Sequence, residues 1–217
     1  MNTIIQIKKR INRDVFDYQQ LLECLKTYSK PRDKIRQLVA DGDITRVKKG
    51  LYVFGEAYRS APVSRELLAN LIYGPSYVSL DYALAWYGLI PERVEVVTSV
   101  TTGRSREFRT SFGVFSYRRM TESRYASGAV LRKTGDAHFL SASPEKALAD
   151  KVWTDKRFAG TGQSQYETYL ADDLRIDMSR LASLDRDRLN TVKWAYSSPK
   201  IDRLIRYLLQ LKETDDA

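Results

Sequence analysis

The side chains with the most concentrated chemistry in this chain are basic. Lys30, Lys34, Arg36 and Gln37 lie close together, and Arg46, Lys48 and Lys49 follow shortly after. Ammonium and guanidinium groups at this density suit phosphate contacts, while Gln37 and Arg36 carry the groups that can meet base edges in a DNA groove. A second basic run holds Arg104, Arg106, Arg109, Arg118, Arg119, Arg124, Arg132 and Lys133, interleaved with Phe108, Phe112, Phe115, Tyr117 and Tyr125. Arg dominates this run, which suits bidentate pairing with carboxylate or phosphate. On strands the interleaving would turn the aromatics inward and the arginines outward. That gives either a docking face for an acidic partner or an ordinary solvated sheet face.

Catalytic templates fit poorly. His138 is the only histidine, so a His-based triad has one base and no placed partner, and one His with one Cys cannot make a Cys/His metal cluster. There is no phosphate-cradling Gly-x-x-x-x-Gly-Lys-Ser/Thr loop and no His-Glu-x-x-His. Gly74-Pro75-Ser76-Tyr77-Val78 opens like a nucleophile elbow, but Val78 stands where the second Gly belongs. Asp81 and Glu95 could serve as paired metal-binding carboxylates of a nuclease, yet Val97 occupies the place of the usual lysine. Asp172, Asp173, Glu145 and Asp150 read as helix-surface charges. The expectation is a protein that is not an enzyme and needs no cofactor or metal.

The elements that must position the first basic group can be read from spacing. Ile35, Leu38 and Val39 share one face of a helix opened by Ser29 and Pro31, with Asp33 in its first turn, and stopped at Asp41-Gly42. Asp33, Gln37 and Ala40 face away, flanked by Lys30, Lys34 and Arg36. Ile44–Val47 and Leu51–Phe54 then read as a hairpin around Lys48-Lys49-Gly50. Upstream, Val15, Tyr18, Leu21, Leu22 and Leu25 predict a supporting helix over 14–25. Helix, turn, helix and basic hairpin form the pattern of a winged helix-turn-helix, assigned to residues 1–58. Residues 1–14 exceed what a minimal unit of this kind needs and receive no assignment.

Residues 59–217 read as a second domain. Ser64 caps a helix to about Ile72 with Leu67, Leu68, Leu71 and Ile72 on one face. A short strand follows at Tyr77-Val78, then a helix over 80–87 that Ser79 can cap and Gly88 ends. Strands are expected over 94–100, 106–112 and 114–117, and around Leu131 and 138–140. Ser143-Pro144 opens a helix to about Thr154, and further helices are expected over 165–174, 185–196 and 200–212. The fold class is α+β: a winged helix-turn-helix, then a mixed α+β domain with a helical C-terminus.

The charge is uneven across these halves. Residues 1–60 hold 13 Lys and Arg against 7 Asp and Glu, and the remainder holds 23 against 20, so +6 of the net +9 lies in the first part. This favours a polyanion partner for the N-terminal region. The lone Cys24 fits a reducing cytoplasm and a core-filling role. MNTIIQIKKR does not have the form of a signal peptide, and no apolar run approaches a membrane span. The polar tail 213–217 is expected to fray.

The run Glu66 to Thr102, with Arg104-x-Arg106-x-Phe108, Gly113-x-Phe115-x-Tyr117 and Ser143-Pro144-Glu145-Lys146-Ala147-Leu148, resembles the AbiEi-type antitoxins of bacterial toxin–antitoxin (abortive infection) systems. Arg46-Val47-Lys48-Lys49-Gly50-Leu51-Tyr52 is similar to that family's N-terminal winged helix. The resemblance covers about residues 15–155. It implies that the N-terminal domain binds operator repeats in double-stranded DNA and represses its own operon. It also implies that the C-terminal domain counteracts a nucleotidyltransferase toxin, as a type IV system does, without requiring a stable complex. On this reading Lys30, Lys34, Arg36, Gln37, Arg46, Lys48 and Lys49 contact DNA, and Arg104, Arg106, Arg109, Arg118 and Arg119 form the antitoxin face. The alternative is a winged-helix regulator whose C-terminal domain binds a protein or ligand and has no antitoxin role.

Overall fold

The computed structural model describes residues 3–215, with side chains described through residue 212. The fold is α+β with a helical C-terminus. Its N-terminal part runs α1 (Thr3–Arg10), β1 (Val15–Asp17), α2 (Tyr18–Cys24), α3 (Pro31–Ala40), β2 (Ile44–Lys48) and β3 (Leu51–Phe54), with the strands in antiparallel order β1-β3-β2.

The helix expected over 14–25 is divided. Val15, Phe16 and Asp17 pair with Val53, Tyr52 and Leu51, and the helix starts only at Tyr18. A capping box fixes that start: the Asp17 carboxylate accepts from the Gln20 amide at 2.8 Å, and the Gln20 side chain accepts from the Asp17 amide at 2.9 Å. The unassigned segment supplies α1, which buries Ile4 and Ile7 in a small core with Phe16, Leu21, Ile35, Leu38, Tyr52 and Phe54. Helix α3 keeps its expected limits, but its N-cap is Lys30 rather than Ser29, and no side chain caps it. Ile35 and Leu38 are buried, while Val39 is 37% exposed, because the narrow small core reaches only two of the three predicted positions. Gly42, at φ +76°, lets the chain leave α3 and enter β2 at once.

The β2–β3 hairpin is buried on both sides. Ile44, Tyr52 and Phe54 enter the small core, and Val47, Leu51 and Val53 enter the larger C-terminal core. The larger core surrounds a six-stranded sheet. Its strands are β4 (Ser76–Val78), β5 (Val97–Thr101), β6 (Arg106–Thr110), β7 (Gly113–Arg119), β8 (Ala129–Thr134) and β9 (Ala137–Ala142), in the order β6-β7-β5-β4-β9-β8. Pairs β5·β7 and β4·β9 are parallel and the rest antiparallel. Strand β5 begins at Val97, three residues later than expected. The Arg65 side chain takes the Glu95 carbonyl, so that stretch is satisfied from a helix rather than from the ladder.

Helices cover both faces of this sheet. Tyr77 pairs with Val100 and Tyr117 with its neighbour Ser99, so the two tyrosines point to opposite faces. The Tyr117 hydroxyl donates to the Ala69 carbonyl of α4 (Arg65–Ile72) at 2.6 Å. The Tyr77 hydroxyl donates to Asp150 of α7 (Pro144–Thr154) at 3.1 Å. Helix α4 is capped by Ser64, as its sequence predicts, but it buries Glu66, Leu68, Ala69 and Ile72 and leaves Leu71 exposed. Its buried stripe is therefore turned from the expected leucine face. The remaining helices are α5 (Leu80–Trp86), α6 (Glu122–Tyr125), α8 (Gln163–Thr168) running into a π-helical turn over Tyr169–Asp173, α9 (Met178–Leu181), α10 (Arg186–Tyr196) and α11 (Pro199–Asp215). The backbone of α11 continues past the expected end at 212, and residues 216 and 217 of the expected frayed tail lie outside the described residues.

Helix α7 overturns one expectation outright: Glu145 and Asp150 are not surface charges. Lys146 and Asp150 are fully buried, with Nζ and Oδ1 2.6 Å apart. Asp150 also accepts from Ser79 Oγ at 2.6 Å, from Tyr77 and from Tyr196, and Lys146 donates to Tyr196 Oη at 2.8 Å. Ser79, predicted to cap α5, is thus turned away from that helix. Glu145 Oε1 accepts from the Asp185 amide at 2.9 Å at the start of α10. An i,i+4 Lys–Asp pair on a helix reads as solvated from sequence; α10 packing over α7 is what removes the water. Burial pushes the Lys146 pKa down and the Tyr196 pKa up. Breaking such a pair strands a buried charge, so Asp150→Ala should cost about 3–5 kcal/mol in a denaturant titration. A loss below about 1 kcal/mol, the worth of an exposed pair, would contradict the buried network.

Candidate nucleic-acid interface

The hydrogen-bonding groups of α3 are organised in two i,i+3 pairs. Arg36 Nη1 donates to Asp33 Oδ1 at 3.0 Å, and Lys34 Nζ donates to Gln37 Oε1 at 3.0 Å. Both pairs are exposed, so each adds only a few tenths of a kcal/mol to the helix. Their consequence is a bias in the side-chain orientations of Arg36 and Gln37. Lys34 is additionally held 5.9 Å above the Tyr28 ring, and the Tyr28 hydroxyl lies 2.7 Å from Thr3 Oγ1 of α1. The previously unassigned N-terminal segment therefore buttresses the α2–α3 turn. Lys30 is exposed at the N-cap. Arg32, passed over in the sequence reading, is exposed four residues before Arg36 and so lies along the same side of the helix.

The hairpin splits the three predicted wing residues. Arg46 and Lys49 are exposed, Lys49 beside Gly50, whose φ of +88° makes the tight turn. Lys48 is not available in the same way. The register slips between Arg46 and Lys48, a bulge that leaves Lys48 opposite Leu51, whose side chain faces the larger core. Its ammonium donates to the carbonyl of Ile72, the last residue of α4, and burial lowers its pKa. A cation at a helix C-terminus is stabilising there, so this side chain fastens the hairpin to α4 rather than reaching for phosphate.

The second basic cluster is also divided. Arg106 pairs with Tyr117 and Arg109 with Val114, so Arg106 and Arg119 share the α4 side of the sheet, while Arg109 and Arg118 lie on the other. The expected pattern of aromatics inward and arginines outward does not hold for Arg106, which shares the aromatic face and lies 5.6 Å from the Tyr73 ring. Arg104 is exposed just before β6, and Arg109 is paired with Glu107 at 2.7 Å. Arg124 and Arg132 are structural. Arg124 donates to the Tyr196 carbonyl at 3.0 Å over the Trp153 ring, and Arg132 donates to the Tyr87 hydroxyl at 3.1 Å.

The carboxylates considered for a nuclease are held by separate cations. Asp81 pairs with Lys151 at 2.5 Å and Glu95 with Arg93 at 2.8 Å. Among the described residues no group of three or more His, Cys, Asp or Glu is placed to hold a metal ion. Glu95 and Arg93 instead line an open cleft of about 440 Å³ with Arg65, Tyr82 and Trp86. No described helix is long and apolar enough to cross a membrane. No protein-family model matches the chain, and no curated protein matches it.

The different settings of Lys48 and Lys49 separate their roles. Lys48→Ala, which frees a helix-terminal carbonyl, should lower stability by about 1 kcal/mol, the worth of a hydrogen bond to a charged donor in a partly wet site. Lys49→Ala should leave stability within about 0.5 kcal/mol of the parent. Denaturant midpoints check both, and equal effects would contradict the anchoring role of Lys48.

Proposed function

We propose that residues 3–58 form a winged helix-turn-helix that binds duplex operator DNA. We further propose that the chain is an AbiEi-type antitoxin, repressing its own operon from the cytoplasm and counteracting a nucleotidyltransferase toxin without catalysis of its own. The observation that carries the first part is the order α1-β1-α2-α3-β2-β3 with exposed cations on α3 and at the hairpin tip. That order supplies one helix for a groove and one ribbon beside it. Lys30, Arg46 and Lys49 are placed for phosphates, and Arg36 and Gln37 for base edges. The antitoxin part rests on the resemblance of residues 66–148 and on the exposed Arg104, Arg106 and Arg119 around the β6–β7 edge.

The division of the arginine cluster between two sheet faces favours a second reading, a winged-helix regulator without antitoxin activity. Co-expression with a candidate nucleotidyltransferase toxin separates the two. Growth rescue that is abolished by reversing the charges of Arg104, Arg106 and Arg119, in a protein that still folds, supports the antitoxin; no rescue by the parent chain supports the regulator.

DNA binding has its own test. With about four phosphates neutralised, log affinity for duplex DNA should fall against log salt with a slope of roughly −3.6. A flat salt response would remove the DNA-binding reading.

A further inference from the structure

We infer that α3 selects guanine over adenine in the DNA it binds, and that Lys34 and Asp33 set this preference as positioning residues. The inference rests on the reading of residues 3–58 as a DNA-binding unit. It follows from which hydrogen-bonding atoms of α3 are already occupied.

A glutamine reads adenine by using both halves of its amide: the carbonyl oxygen accepts from N6 and the amino group donates to N7. In α3 one of the two lone pairs of the carbonyl half is already engaged. Lys34 Nζ donates to Gln37 Oε1 at 3.0 Å, which places a cation beside the spot where the adenine amino group would donate. The cation then stands beside an incoming N6 donor and weakens the adenine contact. Tyr28 lies beneath the Lys34 ammonium and its hydroxyl is 2.7 Å from Thr3 Oγ1 of α1, which modestly favours this position. What Gln37 and Lys34 still offer outward is N–H donors. Guanine presents two acceptors, O6 and N7, on its major-groove edge and matches such a surface.

Asp33 acts on the neighbouring group. Its carboxylate accepts from Arg36 Nη1 at 3.0 Å, which favours one position of the exposed guanidinium and leaves its other N–H groups to donate. Arg is the residue best shaped for bidentate contact with guanine O6 and N7. The carboxylate also repels phosphate, which penalises every pose in which α3 merely lies along the backbone. Discrimination by an unfavourable element of this kind raises specificity at some expense of affinity.

Selection of the full-length chain on a randomised duplex library, near physiological ionic strength, tests the inference. The selected sites should contain an invariant guanine, and replacing it with 7-deazaguanine, which lacks N7, should weaken binding about tenfold. Lys34→Ala, which frees Gln37 Oε1, should convert one guanine position to acceptance of adenine. Asp33→Ala should raise binding to random duplex and cut the ratio of selected to random affinity about twofold, and Asp33→Glu should restore much of it. A purely structural role for either residue would move affinity for all sequences together and leave the base preference in place. Selective binding without guanine, binding with no base preference, or an unchanged preference in Lys34→Ala overturns the inference while leaving the DNA-binding reading standing. Retention of no duplex by the parent chain overturns both.

Discussion

The burial of the β2–β3 hairpin on both faces is the constraint on which the rest of the molecule depends. The hairpin belongs to the small three-stranded sheet β1-β3-β2, and so small a sheet depends on packing of its faces for stability. Here Tyr52 and Phe54 close the small core from one side, and Leu51 and Val53 close the larger core from the other. The bulge at Val47 keeps this arrangement consistent, since it turns Lys48 toward α4, where its charge is satisfied by the Ile72 carbonyl. The ribbon beside α3 is therefore a wall shared by the two cores.

A second polar device holds the far side of that sheet. Lys146, Asp150, Tyr196, Tyr77 and Ser79 hydrogen-bond to one another and fix α7 between β4 and α10. Buried ion pairs are poor stabilisers compared with apolar packing of the same volume, but they penalise every arrangement that leaves one partner unpaired. The Ser-Pro-Glu-Lys segment has a physical reason at each position: Ser143 caps α7, Pro144 fits its first turn, Glu145 meets the α10 amide of Asp185, and Lys146 neutralises Asp150. The motif specifies a helix that is covered on all sides.

Much of this was legible in the sequence where local chemistry decides the outcome. Gly42, Gly50, Ser64 and Ser143-Pro144 mark turns and caps through their own backbone preferences, and α3, α7 and the β2–β3 hairpin lie where those residues put them. What could not be read depends on partners distant in the chain. Val15 to Asp17 matched a helical spacing but found a strand partner in β3, and the Asp17–Gln20 capping box then fixed the later start. The α4 stripe is set by the sheet beneath it, which selects Glu66 and Ala69 over Leu67 and Leu71. For the candidate interface, the sequence marked the basic residues of α3 and the hairpin tip. It could not show that a bulge withdraws Lys48, that strand alternation divides the second arginine cluster, or that Lys34 and Asp33 engage their helix neighbours.

α1 and α2 brace α3, and the double-sided hairpin holds its tip beside it; the proposed function has the exposed side chains of both meet duplex DNA. The most direct test is amide hydrogen exchange of the full-length chain with and without the duplex immediately upstream of its own coding sequence. The account predicts slowed exchange concentrated in α3 and at the turn between β2 and β3. Bound duplex with no slowing there, or with slowing confined to β6 and β7, would contradict it.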